Sequence, residues 1–505
     1  MLPKRFKFAP ITLALSSLLF IAANSHAATV VENPKFWIAS GTASIQASEK
    51  LTANNNTAKN VILFVGDGMG ISTITAARIF EGQQKKVNRG GEENSLSFEK
   101  LPHLALSKTY SVNQQTPDSA PTMTAIISGV KTNDGELSVG ADVKRQEKSA
   151  AIVKANSVKT LLEQAEEKGL STGIVTTARL THATPAACYA HTSERDWESD
   201  ANVPADATVS DIAKQLLNFN YGNGLEVAMG GGRSNFLPET MTDPEESLKK
   251  GSRKDGLDLT QQWLTKYPKS AYVFNKTGFD AVNTKNTDHL LGLFDMSHME
   301  YEADRAKDTG GEPSLTEMTV KAIDILSKNK KGYVLMIEAG RIDHAHHAGN
   351  AYRALSDAVE LSNAVRKALE KTNEKDTLIV VTADHSHTFT IAGYPQRGNP
   401  ILGLVKEPGK DTFAKDANGM PYTTLGYANG PGYRGGVARA DLTAVDTLHP
   451  DFLQEATIPL ASETHGAEDV AIFANGPKAH LFHGIQEQSY IYQVMATALK
   501  FKAGQ

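Results

Sequence analysis

Cysteine is nearly absent: Cys188 is the only one in 505 residues. One thiol rules out an internal disulfide, and equally a zinc site built from clustered thiolates. Charge of one sign is missing too, with 52 basic against 57 acidic residues and a formal net charge of −5. That balance lacks the electrostatic footprint of a nucleic-acid-binding protein. No apolar run long enough for a membrane span occurs, which excludes a multispanning membrane protein. The remaining composition, 40% hydrophobic and 22% charged with 40 Gly and 20 Pro, is that of a globular chain able to bury a large core.

The start of the chain is a separate object. Lys4, Arg5 and Lys7 give a basic leader, Ile11 to Ala23 is mostly apolar, and Ser25-His26-Ala27 offers small residues around a cut. The apolar stretch falls short of the roughly 20 residues a spanning helix needs. Residues 1–27 are therefore predicted to be a secretory signal peptide, cleaved after Ala27 or Ala28. A periplasmic or secreted product without a membrane anchor is expected. In such a product Cys188 serves as a small buried apolar residue, and any metal site must be built from His, Asp and Glu.

From there the chain alternates short apolar runs with amphipathic stretches, the pattern of βα units around a mostly parallel sheet. Strands are predicted at 61–65, 173–175, 333–337 and 378–381, and helical spacing runs through 157–168, 315–327 and 351–371. The fold expected is doubly wound α/β, with helices on both faces of the sheet. Residues 391–462 differ, being rich in Gly, Pro and Tyr with weak periodicity, and are expected to form an insertion on that body.

The segments just after the strands carry the chemistry. Gly66-Asp67-Gly68-Met69-Gly70 succeeds the first run, Glu338 to His347 the third, and Thr382-Ala383-Asp384-His385-Ser386-His387 the fourth. Open α/β sheets bind ligands outside the carboxyl ends of their strands. Three strands thus bring carboxylates and imidazoles to one edge. Carboxylates gathered there repel one another unless divalent cations neutralise them. The glycine-rich turn lacks the Lys-Ser/Thr of a P-loop. Taken singly, Asp343 with His347 four residues on could be a surface ion pair, and Asp384-His385 a turn. His182, His344 and His346 could be solvated or core histidines. Their joint occurrence after successive strands points to a polynuclear metal site. Thr116 to Thr122 looks like a turn opening a helix, with Ser119 near its N-terminus, where anions are favoured. On that segment alone Ser119 could equally be a helix N-cap.

The ordered motifs resemble those of the alkaline phosphatases, especially the animal type: V-G-D-G-M-G at 65–70, T-P-D-S-A at 116–120, H-A-T-P-A at 182–186 and A-H-T-S-E-R-D-W at 190–197. E-A-G-R-I-D-H-A-H-H at 338–347, T-A-D-H-S-H at 382–387 and E-T-H-G-A-E-D-V at 463–470 complete the set. The resemblance covers nearly all of residues 28–505. It implies hydrolysis of phosphate monoesters through a phosphoserine on Ser119, with Arg195 gripping the phosphate. It implies two zinc ions, one on Asp343, His347 and His465 and the other on Asp67, Asp384 and His385. A magnesium ion on Asp67, Thr184 and Glu338 would share Asp67, with His182 and His344 acting through water.

The animal enzymes also carry a calcium-like fourth site, which the resemblance places on Glu245, the Phe294 carbonyl, Asp295 and Glu312. It further implies that residues 391–462 form a crown-like insertion and about 31–55 an N-terminal arm, both contacting the second subunit of a homodimer. The animal disulfides are absent. Within the same superfamily a phosphodiesterase or mutase is the rival reading. Arg195 and the triplet 67, 184 and 338 favour the monoesterase. A sulfatase is disfavoured because Cys188 lacks a C-x-P-x-R setting. From a different class, a catalytically silent exported phosphate-binding module would not need the intact Ser119 and full ligand set.

Overall fold

The structure, a computed structural model, describes residues 32–87, 90–435 and 439–501. The predicted signal peptide, 1–27, lies outside the described residues. The chain divides into two units, Met1–Leu51 and Thr52–Gln505. The described part of the first holds one helix, Pro34–Ser48, whose N-terminus is capped by the Asn33 side chain accepting from the Phe36 N–H. None of its residues is buried, and Trp37, Ile38 and Ile45 are exposed.

The second unit is built on a ten-stranded sheet. In chain order its strands are β1 (Asn60–Gly66), β2 (His103–Lys108), β3 (Ser171–Arg179), β4 (Val227–Gly231), β5 (Ser270–Val273), β6 (His289–Leu293), β7 (Tyr333–Ala339) and β8 (Thr377–Thr382). Five short strands come next: β9 (Ser386–His387), β10 (Phe389–Ile391), β11 (Leu425–Gly430), β12 (Ala456–Pro459) and β13 (His465–Gly466). The large sheet then closes with β14 (Val470–Asn475) and β15 (Ile485–Glu487). Its spatial order is β15-β2-β14-β8-β1-β7-β3-β4-β6-β5. Only β14 runs against the rest. The doubly wound, mostly parallel sheet expected from the sequence is present.

The apolar runs are buried because each strand feeds two cores. On β1, Val61, Leu63 and Val65 pack on one face with Met123, Ile126, Leu162 and Val494. Ile62 and Phe64 pack on the other with Phe80, Met318, Leu355 and Leu361. Alternation by two along a strand covered on both faces produces a continuous hydrophobic run rather than an alternating one. The helices Leu315–Leu326 and Ala351–Lys371 form as the spacing predicts. The stretch 157–168 is helical only over Leu161–Glu167. There Thr160 and Glu163 make a reciprocal capping box, which starts the helix at Leu161, later than the periodicity suggests.

Residues 391–462 have weak periodicity because they fold around a small three-stranded sheet, β10-β11-β12, with a minor core of Leu404, Leu442 and Phe452. Cys188 is fully buried, its thiol facing the Thr184 carbonyl at 3.9 Å.

Candidate active site

Register places the site. Val65 of β1 lies level with Glu338 of β7 and Thr382 of β8, and Glu338 lies level with Thr176 of β3. Asp67 and Asp384 each stand two residues beyond that level, so parallel neighbours deliver both carboxylates to one rim. The rim is dense enough to require glycine. Gly68 has φ +68°, and a Cβ there would stand 2.3 Å from Nε2 of His387.

The helix Ser119–Ser128 is wholly buried and begins at this rim. Its N-cap is Asp118, not Ser119; the Asp118 side chain accepts from the Ala120 N–H at 3.3 Å. Ser119 occupies the first helical position with its hydroxyl free to face His385, whose Nε2 lies 3.1 Å from Oγ. The same Nε2 lies 3.4 Å from Asp67 Oδ1 and from Asp384 Oδ2. Both oxygens of Asp67 are buried without a hydrogen-bond partner. Burial, then the neighbouring carboxylates Asp384, Asp343 and Glu338, push its acid well above the ordinary range. Burial and then the nearby His465 hold His385 well below the usual imidazole value, so it is neutral and able to donate a lone pair.

A second group surrounds Asp343, whose Oδ1 lies 3.3 Å from Nε2 of both His347 and His465 and 2.8 Å from Nε2 of His387. The other nitrogen of each ligand-like ring is tied to a carbonyl: His347 Nδ1 to Glu463 at 2.6 Å and His465 Nδ1 to Pro117 at 2.7 Å. Donation from Nδ1 leaves the two Nε2 lone pairs facing each other at 3.1 Å. That arrangement repels unless a cation sits between them, and it is how metal-binding imidazoles are oriented.

A third group joins Asp67, Glu338 and His182. Glu338 Oε1, His182 Nδ1 and Thr184 Oγ1 are all buried with no hydrogen-bond partner. An orphaned carboxylate oxygen beside an uncommitted hydroxyl is a place for an ion, while His182, whose Nε2 accepts from Arg195, carries its proton on Nδ1. In each of the three groups one donor atom per residue lies within 4.8 Å of the others. A donor set of carboxylate and imidazole suits zinc, and a carboxylate-rich one with a hydroxyl suits magnesium.

Arg195 reaches this rim from the loop after helix Ala183–Ala186. Its Nη1 pairs with Asp118, and Nη2 lies 2.9 Å from His182 Nε2. His344 is half-buried with its Nδ1 atom buried and unpartnered, and desolvation brings its pKa down to about 3. Its ring contacts His182 at 5.3 Å between centroids and His298 at 4.0 Å.

The structure adds residues the sequence reading did not single out. His387 bridges Asp343 and Glu463, the latter at 2.6 Å from its Nδ1. Burial opposes its charge, but these two carboxylates outweigh it and push its pKa up to about 9. Its position in the alternating Asp384-His385-Ser386-His387 was a readable signal. His298 had none, since only the fold brings it to His344.

The residues expected for a fourth metal stand outside the three groups at the rim. Glu245 pairs with Arg233 at 2.6 Å, while Glu245 Oε1, Glu312 Oε1 and Asp308 Oδ2 are buried without partners. Burial, then the nearby Asp295 and Asp308, pushes Glu312 up to about 9, the Glu300 N–H opposing. Among the described residues these carboxylates do not converge as tightly as the three groups at the rim.

The alkaline phosphatase family model matches residues 58–501. The tissue-nonspecific alkaline phosphatase of Gallus gallus is 46% identical over 478 residues, covering 92% of this chain and 89% of that one. An alkaline phosphatase of Gadus morhua is 45% identical over 475 residues, 92% of this chain and 97% of its own. Among solved structures, Thermus thermophilus alkaline phosphatase superposes with a TM-score of 0.63 at 25% identity, covering 90% of this chain and 94% of that one. A TAB5 alkaline phosphatase variant with magnesium in its M3 site has the same fold, with a TM-score of 0.60 at 22% identity over 89% and 99% of the two chains.

Proposed function

Because the chain belongs to the alkaline phosphatase family and hydrolyses phosphate monoesters, we propose that it does so through a phosphoserine on Ser119 at a trinuclear metal rim. Asp343, His347 and His465 would hold one zinc, and Asp67, Asp384 and His385 the other. Asp67, Thr184 and Glu338 would hold magnesium, with His182 and His344 beside it. Divalent cations bound there supply charge neutralisation and Lewis acidity, which lower the pKa of an oxygen nucleophile and steady a departing oxygen.

The protein's own groups do the rest. Ser119 Oγ gives up its proton and attacks phosphorus in line; the ester P–O bond breaks, and the alkoxide leaves with the electron pair and is protonated to the alcohol. Water then attacks the phosphoserine, regenerating Ser119 and releasing inorganic phosphate. Two inversions leave phosphorus with retained configuration. The positive end of the helix Ser119–Ser128 faces the phosphate. Arg195 offers a planar fork for two phosphate oxygens, which Lys would not reproduce, and Asp118 positions that fork. His387 holds Asp343 in place, and Glu463 in turn holds His387.

The observation that carries this reading is the Ser119 hydroxyl, uncommitted to capping and 3.1 Å from His385 within the partnerless carboxylates. Turnover of aryl phosphate, bis-aryl phosphate and aryl sulfate, each with and without chelator, tests it. Fast, chelator-sensitive cleavage of the monoester is expected. A faster diester, or turnover retained by Ser119→Ala, would overturn it.

The proposal extends to assembly and location. The helix Pro34–Ser48 with exposed Trp37, Ile38 and Ile45, and the insertion around β10-β11-β12, would meet a second copy in a homodimer. Such an unpartnered apolar face supports an interface. Calcium would complete the acidic group at Glu245, the Phe294 carbonyl, Asp295 and Glu312. The exported, periplasmic or secreted setting rests on the leader sequence; among the described residues no helix is long and apolar enough to cross a membrane.

A further inference from the structure

Arg195 is fixed twice, once by its side chain and once by its backbone. Asp118 and His182 accept from the guanidinium. A neighbouring loop holds the backbone. The Arg195 N–H donates to the Gly135 carbonyl at 2.8 Å, and Leu137 and Thr192 exchange amide bonds at 2.9 and 3.0 Å. Those bonds tie the segment 192–195 to the segment 135–137.

Arg145 joins the same two segments through side chains. Its Nε and Nη2 donate to Glu194 at 3.0 and 3.1 Å, and its Nη1 pairs with Asp134. Glu194 precedes Arg195 and Asp134 precedes Gly135, so one guanidinium spans the Gly135–Arg195 hydrogen bond. The fit depends on glycine. Gly135 has φ +71°, and a Cβ there would stand 2.6 Å from both Cζ and Nε of Arg145. Glu194 is buried, and Gln146 Nε2 also donates to it at 3.0 Å. Burial works against its charge, but Arg145 and Gln146 outweigh it and hold its pKa below the ordinary value. Arg145 itself is exposed and stands outside the three groups at the rim.

Ordinary surface ion pairs carry little. This one spends all three guanidinium nitrogens on two carboxylates, a bridge that a planar fork makes and a lysine does not. One of those carboxylates is buried beside the residue that grips phosphate, where a small misplacement is amplified in binding and rate. We propose that Arg145 is a positioning residue for phosphate recognition: bridging Glu194 and Asp134, it sets the backbone from which Arg195 reaches the phosphate. This role rests on the reading of Arg195 as the phosphate grip.

Inhibition by inorganic phosphate and kcat/KM on aryl phosphate, measured on the metal-replete enzyme in a double-mutant cycle, test it. Arg145→Lys keeps the charge and loses the fork; it raises the phosphate Ki and lowers kcat/KM, each about fivefold. Asp134→Asn cuts the other arm and shifts both in the same direction by about twofold. Made in Arg195→Ala, neither substitution changes either quantity, because Arg145 acts only through Arg195. A loss that came from general loosening of the fold would persist in that background. A wild-type Ki in Arg145→Lys, or an equal shift when Arg195 is already alanine, overturns the proposal. Arg195→Ala with a wild-type Ki overturns the phosphate grip itself, and this role with it. Should Arg145→Lys fail to fold, Asp134→Asn in the two backgrounds decides it.

Discussion

Two regions of this protein bury carboxylates against one another and resolve the repulsion by different means. At Glu166 and Glu226 the answer is a proton. Thr172 Oγ1 donates to Glu166 at 2.7 Å, while Glu226 accepts from the Thr172 N–H, Ser171 Oγ and Asn223 Nδ2 at 2.7, 2.9 and 2.9 Å. Burial first, and Glu226 second, push the Glu166 acid up to about 9, so it holds a proton. At the rim, Asp67 has neither oxygen bonded and Glu338 has one left over. Facing them is His385, whose Nδ1 is spent on the Ser386 carbonyl at 3.3 Å. A donor-rich carboxylate pair is complete as folded. A donor-poor group ringed by lone pairs is a cation site, and the difference lies in who surrounds the carboxylates, not in how many there are.

The comparison is most sharply broken at Ser119. Ser119→Ala should lower kcat on aryl phosphate by at least about 10³-fold. Thermal unfolding should change little, because Asp118 caps the helix. A small loss of turnover would remove the rim's chemical role. Chelation should come next in size. The Gly68 and His385 amides, both donating to Asp384 Oδ1 at 3.1 and 3.0 Å, should lose hydrogen-exchange protection when metal is withdrawn. The Thr172 amide on Glu226 should keep its own. Equal loss at both places would show that the two regions are alike.

The smaller effect is one of pH. The folded-state acid of Glu166 lies above its ordinary value, so the stabilisation from its held proton is fully present below about 4.5 and is lost as pH rises through about 9. Glu166→Gln should flatten that decline in a calorimetric series from acid to alkali. Parallel curves for the two proteins would contradict proton sharing. Smallest of all, Glu245→Gln should cost about 1 kcal/mol in urea unfolding, since Arg233 keeps Asp243 at 2.6 and 2.9 Å.

The same contrast explains what could be read from the chain. β1, β7 and β8 are legible because strands buried on both faces must be apolar throughout, and the residues after them must then be at the rim. The rim positions of Asp67, Glu338, Asp343, His347, Asp384 and His385 are legible for that reason. The helix start at Leu161 was not legible from periodicity, since a capping box and not an apolar residue sets it. Nor was the reversal of β14 between β2 and β8, which depends on pairing across distant parts of the chain. Arg233 beside Glu245, and His298 beside His344, are meetings of separate segments with no local trace. The Glu166–Glu226 pair belongs with them.

Anomalous diffraction at the zinc edge, from crystals of the purified active enzyme, bears most directly on the claim that the rim is a metal centre. Peaks are expected among Asp343, His347 and His465 and among Asp67, Asp384 and His385. An active enzyme with no peak at either place would contradict it.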